Sequence, residues 1–283
     1  MKTRFAPSPT GPLHLGHAYS AMLAHEIAQA AQGTFMLRIE DIDRSRARPV
    51  WEAQIYDDLQ WLGLDWPTPV MRQSDRSRVY QDRLAWLWSE GLAYACTCTR
   101  RDIMAAVAAP QEGGLHIMGP DGLVYPGTCR PDVANGPQPD NAALRLDMGK
   151  SLDLIAADDF SFTETGSGQP VQTTFSADDV LTTIGDIVLS RRDMGTSYHL
   201  SVVIDDAAQD VSDVVRGRDL FEATKIHVVL QKLLGLPTPT YHHHKLIRDD
   251  AGKRLAKRDD ARAIAKYRED GASPADIRSM VGL

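Results

Sequence analysis

The feature that most restricts the fold is a change of residue period near the N-terminus. RFAPS reads as a short strand, PSPTGP as a turn, and HAYSAMLAHEIAQAAQ as a helix that stops at Gly33. In TFMLRIEDID, Phe35, Leu37 and Ile39 alternate with Met36 and Arg38, the period-two pattern of a strand that runs into an acidic turn. A strand, a crossover helix and a second strand make a βαβ unit, so the chain is expected to be α/β. Ala18, Ala21, Ala24 and Ala28 leave one side of the helix small enough to pack closely on a sheet.

Further along, PVWEAQIYDDLQWLGL and SRVYQDRLAWLWSEGL read as amphipathic helices, each closed by a Gly-Leu pair suited to a left-handed C-terminal cap. From Cys96 to Cys129 the turn signals EGG, GPDG and YPGT crowd together, which predicts an excursion from the sheet. AALRLDM, LDLIAADDF and GDIVLSRRD read as short strands of an inserted antiparallel region, and YHLSVVIDDA as an apolar buried strand. ATKIHVVLQKLLGL is expected as a helix, YHHHKLIRD as a strand, and Pro274 to Val281 as a closing helix.

With 283 residues, 43% hydrophobic, the chain can bury a proper core. No stretch is long and apolar enough to cross a bilayer, and MKTRFAPSPT has no apolar run after its charges, so a cytoplasmic setting is expected. A formal charge of -7 argues against a uniformly basic nucleic-acid-binding face. Between Lys245 and Arg268, however, nine Lys or Arg face four Asp, a local excess of five positive charges suited to a phosphate backbone.

Two histidines stand out in PLHLGHA. A glycine at the mouth of a helix lets a flat ligand approach the backbone, the helix N-terminus favours phosphate oxygens, and imidazoles donate to a phosphate as its charge moves. His14, Gly16 and His17 are therefore candidates for holding ATP. No Ser-His-Asp or Cys-His arrangement points to a covalent enzyme intermediate.

RFAPSPTGPLHLGHA, then LRIEDIDRSR, DIVLSRRDMGTSYHLSVVIDDA, VVRGRDL and GKRLAKR resemble, in wording and order, the class I glutamyl-tRNA synthetase catalytic domain. The resemblance runs from Arg4 to about Arg258, with HLGH in the place of the HIGH signature and RLAKR in that of the KMSKS loop. It implies a Rossmann-type class I catalytic domain, its first half at 1–95 and its second at 186–283, with an inserted zinc-binding, acceptor-type subdomain at 96–185. It also implies ATP with Mg2+ as substrate and a bound L-glutamate held by Arg4, Phe5, Ala6, Pro7, Ser8, Glu40, Tyr198 and Arg216. The chemistry fits, because an ammonium calls for a carboxylate such as Glu40 and carboxylates call for guanidiniums such as Arg4 and Arg216. Where the family has Lys-Leu-Ser-Lys, this chain has Arg254-Leu255-Ala256-Lys257; the hydroxyl is missing, and Lys257 and then Arg254 are the expected phosphate contacts.

All three cysteines, Cys96, Cys98 and Cys129, fall in the excursion, and an odd count with a Cys-x-Cys pair suggests thiolate metal ligands in place of disulfides. Structural zinc takes four ligands. The residues alone point to His116 as the fourth, whereas the resemblance to a short subgroup of the family implies Tyr125. Members of that subgroup lack the anticodon-binding region, activate glutamate without tRNA and attach it to queuosine at the wobble position of tRNA(Asp). Only 25 residues follow Arg258 here. The expected partner is thus the queuosine-bearing anticodon loop of tRNA(Asp), read as a single strand, by a chain expected to be monomeric; a truncated enzyme charging the 3′ end of tRNA(Glu) and a non-catalytic tRNA-binding module are the rival readings.

Overall fold

In the computed structural model, which describes residues 1–108, 118–131, 136–139, 142–248 and 262–283, the βαβ unit forms as its pattern predicts. Strand β1 (Lys2–Phe5) runs parallel to β2 (Thr34–Ile39), with helix α1 (Leu15–Ala30) crossing between them. Ala18, Ala21, Ala24 and Ala28 are all buried, and the Thr3 hydroxyl donates to the Ala24 carbonyl at 2.7 Å, so the small face does bring helix and strand together. Helix α2 (Pro49–Trp61) leads to β3 (Met71–Arg72), which extends the parallel sheet beyond β2. Helix α3 (Ser77–Ser89) follows, and both Gly-Leu closures are as expected: Gly63 and Gly91 take φ of 78° and 69°, where other residues are strained.

The excursion holds β4 (Ala93–Cys96), α4 (Arg100–Ala108) and a small hairpin of β5 (Met118–Gly119) and β6 (Gly122–Leu123). Next come β7 (Ala143–Leu146), α5 (Met148–Ile155), β8 (Asp159–Glu164), β9 (Val171–Ser176), α6 (Ala177–Thr183) and β10 (Val188–Ser190), with β7 antiparallel to both β4 and β10. LDLIAADDF is not one strand: Asp147 caps α5 by accepting from Lys150 N–H, Met148, Ser151 and Leu152 are buried at helical spacing, and only from Asp159 is the chain extended.

A second expectation is overturned at YHLSVVIDDA, which forms helix α7 (Tyr198–Ala208), not a strand. Ser197 caps it, and every residue from His199 to Asp206 is buried. A helix buried all round carries no amphipathic period, and a short apolar run is then indistinguishable from a buried strand. After it come β11 (Asp213–Gly217), α8 (Ala223–Leu233), β12 (Thr240–His244), α9 (Ile264–Glu269) and α10 (Pro274–Val281).

Strands β11 and β12 are parallel, β8 joins β12, and β9 pairs antiparallel with β8. The two hydrogen-bonded blocks meet where Ser212 N–H donates to the Lys2 carbonyl at 3.0 Å, placing β11 beside β1. The layer therefore runs β3, β2, β1, β11, β12, β8, β9, and the chain switches direction across it between β1 and β11, the point where open α/β sheets form their crevice. One apolar cluster packs α1, α2 and α10 on β2 through Leu37, Ile39, Ile55, Leu59 and Ile277; the other packs α3, α7 and α8 around Leu84, Leu200, Val229 and Phe162. Each such fully buried side chain contributes about 1.5–3 kcal/mol. Among the described residues, no helix is long and apolar enough to cross a membrane.

Candidate active site

The carboxyl ends of β1, β2, β11 and β12 bring most of the expected residues to one place. Arg4 and Phe5 end β1, Glu40 follows β2, Arg216 lies near the end of β11, and the Glu40 N–H donates to the Pro7 carbonyl at 3.0 Å. This last bond lays Ala6, Pro7 and Ser8 against the Glu40 turn. A buried residue that the sequence reading did not single out organises them: Asp206, from α7, accepts from Arg4 Nε at 3.1 Å and from Arg38 Nη1 at 2.8 Å. Arg38 also donates to Gln209 at 2.9 Å and to Glu40 Oε1 at 3.2 Å. Arg4, Arg38, Glu40 and Asp206 thus form a quartet of balanced charge, exposed by 4%, 0%, 9% and 5% respectively.

Burial opposes ionisation of all these groups, so their partners decide their state. Burial works against the Arg38 charge, but Asp206 and Glu40 outweigh it and hold its pKa above the usual guanidinium value. Burial likewise pushes Asp206 up, and Arg4 and Arg38 more than reverse this, leaving it below the usual carboxylate range. For Glu40 burial prevails over Arg38 and Arg4, and its carboxyl is raised. With Oε1 taken by Arg38, Oε2 is the carboxylate oxygen placed to accept from an incoming ammonium. Burial also raises the Tyr198 phenol and keeps it a donor.

Arg216 is held differently. Its Nε donates to His243 Nε2 at 3.1 Å, Nη1 to His227 Nδ1 at 3.0 Å, and Nη2 to Thr224 Oγ1 at 2.7 Å and the Leu220 carbonyl at 3.1 Å. Among the described residues four of its five donors are engaged, which leaves one N–H on Nη1. The three consecutive histidines diverge, as adjacent strand residues must: His242 meets Thr165 at 3.0 Å, His243 faces Arg216 and Glu164, and His244 Nε2 meets Ser20 Oγ at 2.5 Å.

HLGH has a geometry that its spacing only hinted at. His14 is the N-cap of α1; its Nδ1 accepts from Gly16 N–H at 3.1 Å, while His17 Nδ1 accepts from His14 N–H at 3.2 Å. The two imidazoles make a reciprocal capping box, with ring centres 3.8 Å apart. Since each Nδ1 accepts, the proton of each neutral ring sits on Nε2. A Cβ on Gly16 would lie 3.0 Å from His14 Cε1, so the glycine makes room for the imidazole itself. Phe5 packs edge-on against His17, which joins the histidines to the quartet. Ala263 pairs with His14, and Ile264 N–H donates to the Leu13 carbonyl at 2.9 Å, so residues 263 and 264 lie beside the first motif. Lys257 and Arg254 lie outside the described residues, as does His116.

The cysteines converge as expected. The three sulfurs lie within 4.8 Å of one another, with Cys98 and Cys129 at 3.3 Å. The Tyr125 hydroxyl is 3.5 Å from Cys96 and 3.4 Å from Cys98, and it accepts from Cys129 N–H at 2.9 Å. Arg145 donates to the Cys96 sulfur at 3.4 Å and stacks 3.8 Å from the Tyr125 ring centre. Burial pushes the Cys129 thiol up, but hydrogen bonds from Tyr125, the Thr97 backbone and the neighbouring thiols outweigh it and bring its pKa to about 6. Three sulfurs and one phenolic oxygen at these separations fit the edges of a tetrahedral zinc site. Between this cluster and Tyr198 opens a cavity of about 1160 Å³, with Arg46, Arg100, Arg145, Arg191 and Arg192 among its walls.

Four imidazoles near the site set a pH dependence. Burial lowers His227, His242, His243 and His244 below the usual imidazole value, His243 to about 4, with Arg216 adding to the effect on His227 and His243. The unfolded chain binds protons at these groups from roughly pH 6.5 downward while the folded chain does not, so stability falls as the pH falls toward 4. Asp58, raised to about 6 by burial and then by Asp57, and Glu40 contribute the opposite slope, being easier to protonate in the fold. Four groups outweigh two. A thermal midpoint that drops between pH 6.5 and 4.5 is expected by calorimetry; a rise on acidification contradicts the assignment.

A crevice of this construction, on this sheet order, defines a class I synthetase catalytic domain. The chain belongs to that family: residues 1–114 and 170–283 match the class I tRNA synthetases (E and Q), catalytic domain. It is 61% identical over 283 residues to a Rhodobacter capsulatus protein described as glutamyl-Q tRNA(Asp) synthetase, covering all of both chains. A protein of the same description from Symbiobacterium thermophilum is 40% identical, with 97% of this chain and 83% of that one covered. A solved structure, a glutamate tRNA ligase from Elizabethkingia meningosepticum in complex with its amino acid, superposes with a TM-score of 0.76 at 26% identity. This chain spans 60% of the length of that ligase.

Proposed function

We propose that this chain activates L-glutamate with ATP in the absence of tRNA and then transfers it to queuosine at the wobble position of tRNA(Asp). The observation that carries the reading is the convergence of Arg4, Glu40, Tyr198 and Arg216 beside the histidine-capped start of α1. The full-length similarity to the Rhodobacter capsulatus protein supports the choice of acceptor.

Glu40 takes the substrate ammonium, Arg4 and Arg216 face its carboxylates, and Tyr198 donates from its phenol. The glutamate α-carboxylate attacks the α-phosphorus of ATP, giving glutamyl-adenylate and pyrophosphate; a hydroxyl of the nucleoside then attacks the activated carbonyl and AMP leaves. The protein's work is alignment and charge neutralisation. His14 and His17, with their Nε2–H donors, stabilise the developing charge, and Lys257 and Arg254 are the proposed partners of the phosphates, with Mg2+ arriving on ATP. Cys96, Cys98, Tyr125 and Cys129 hold a structural zinc that ties the 96–185 insert together; the family match skips 115–169, inside that interval. The arginine-walled cavity between the cluster and Tyr198 suits a splayed nucleotide of the anticodon loop.

Pyrophosphate exchange dependent on glutamate, without tRNA, tests the first step. Labelling of queuosine-containing tRNA(Asp), lost when queuosine is absent, tests the second; labelling of tRNA(Glu) establishes the 3′-end charging enzyme instead, and no exchange at all establishes a non-catalytic module. His17→Ala is expected to slow exchange at least about 100-fold while costing only about 1 kcal/mol of helix capping. Undiminished exchange in that variant removes His17 from the mechanism.

A further inference from the structure

Behind Arg216 lies an unbroken line of buried imidazoles that the activation chemistry does not use. His227 Nε2 is 3.1 Å from His199 Nδ1, and His199 Nε2 is 3.3 Å from Asp121 Oδ1. On the other side His243 Nδ1 is 2.5 Å from Glu164 Oε2. A guanidinium only donates, so His227 Nδ1 and His243 Nε2 are acceptors, and the remaining protons follow without choice. His227 donates through Nε2 to His199, which donates through Nε2 to Asp121; His243 donates through Nδ1 to Glu164. Every ring is satisfied in its neutral form, and a carboxylate ends the line at each side.

The same His227 ring packs 5.6 Å, centre to centre, from the Tyr198 ring, and His199 packs 5.4 Å from it. One imidazole therefore touches both of the groups, Arg216 and Tyr198, that the proposed reading places on glutamate. Asp121 lies on the turn between β5 and β6, four residues before Tyr125, so the line runs from the cysteine-bearing segment to the substrate guanidinium.

We infer that His227 is a positioning residue for glutamate: held by His199 and Asp121, it fixes the plane of Arg216 and the ring of Tyr198 so that the one unspent N–H of Arg216 meets the substrate carboxylate. The inference rests on the glutamate-activating reading. His227 touches no reacting atom, so it governs glutamate affinity through Arg216 and leaves ATP affinity alone.

Two amide replacements separate the roles of the two ring nitrogens. Asn at 227 places an acceptor where Nδ1 stood, facing Arg216, whereas Gln places its amide at the Nε2 position and leaves Arg216 without that acceptor. In pyrophosphate exchange, His227→Gln is expected to raise the KM for glutamate about ten-fold with the KM for ATP within about two-fold; His227→Asn recovers most of the loss. Asp121→Ala, a change at an exposed carboxylate that leaves the core intact, raises the glutamate KM about three-fold by freeing His199. Equal glutamate KM values for Gln and Asn, a parallel rise in the ATP KM, or, where the Gln variant does not fold, an Asp121→Ala enzyme identical to wild type, each overturns the inference. A wild-type chain without exchange activity overturns the underlying reading; indifferent variants of an active chain overturn only this one.

Discussion

Asp206→Ala is expected to abolish glutamate-dependent exchange, to below about 1% of wild type, and to cost about 3–5 kcal/mol of stability in denaturant unfolding. Among the described residues Asp206 is the one carboxylate to which both Arg4 and Arg38 donate, through Nε at 3.1 Å and Nη1 at 2.8 Å. Removing it leaves two guanidiniums in a space where water cannot replace the lost charge, with Glu40 alone to balance them. Glu40 is then drawn fully onto the arginines and is no longer available to an ammonium. Asp206→Asn keeps the shape and loses the charge, so its activity should fall nearly as far while its stability falls less. Wild-type exchange in either variant would show that the quartet serves the fold only.

The second large effect concerns the cysteine cluster. Purified protein is expected to carry about one zinc per chain, and Cys98→Ala to carry almost none, by elemental analysis. Cys98 lies 3.3 Å from the Cys129 sulfur and 3.4 Å from the Tyr125 hydroxyl, so its loss would remove one of the four proposed zinc ligands and weaken the hold of the others. The core there is small, Tyr94, Cys96 and Tyr125 being its buried members, and so a bound metal would supply much of its cohesion. Thermal unfolding of the variant should show an early loss of the 96–185 region. Tyr125→Phe removes only the phenolic oxygen and should weaken zinc binding without disturbing the ring packing under Arg145. Zinc content unaffected by Cys98→Ala would sink the assignment.

The sequence was readable where local chemistry dictates geometry. Alternation in TFMLRIEDID, the alanine face of α1, the Gly-Leu closures at Gly63 and Gly91 and the gathering of all cysteines in one turn-rich stretch each rest on neighbours close in the chain. It was opaque where burial is complete. YHLSVVIDDA lost its helical signature because α7 is covered on every side, and with it went the reason to examine Asp206. A signal for Arg38 did exist: it sits in a strand of a parallel sheet, whose two faces are both covered, and a buried arginine requires a buried carboxylate. Nothing local named which of the 38 acidic residues that was.

The wording of HLGH, RFAPS and LRIED, and the cysteine spacing, were determined by the sequence alone, and they sufficed to name the family and the residues worth inspecting. Only the tertiary structure decided that the two histidines cap a helix through their Nδ1 atoms, that Asp206 reaches across from α7 to neutralise Arg4 and Arg38, and that the Tyr125 hydroxyl lies 3.5 Å from the Cys96 sulfur. The reason is physical. Periodicity and capping follow from residues three or four positions apart, whereas Arg4 and Asp206 are 202 residues apart and meet only because the switch in strand order lays β11 beside β1 under α7.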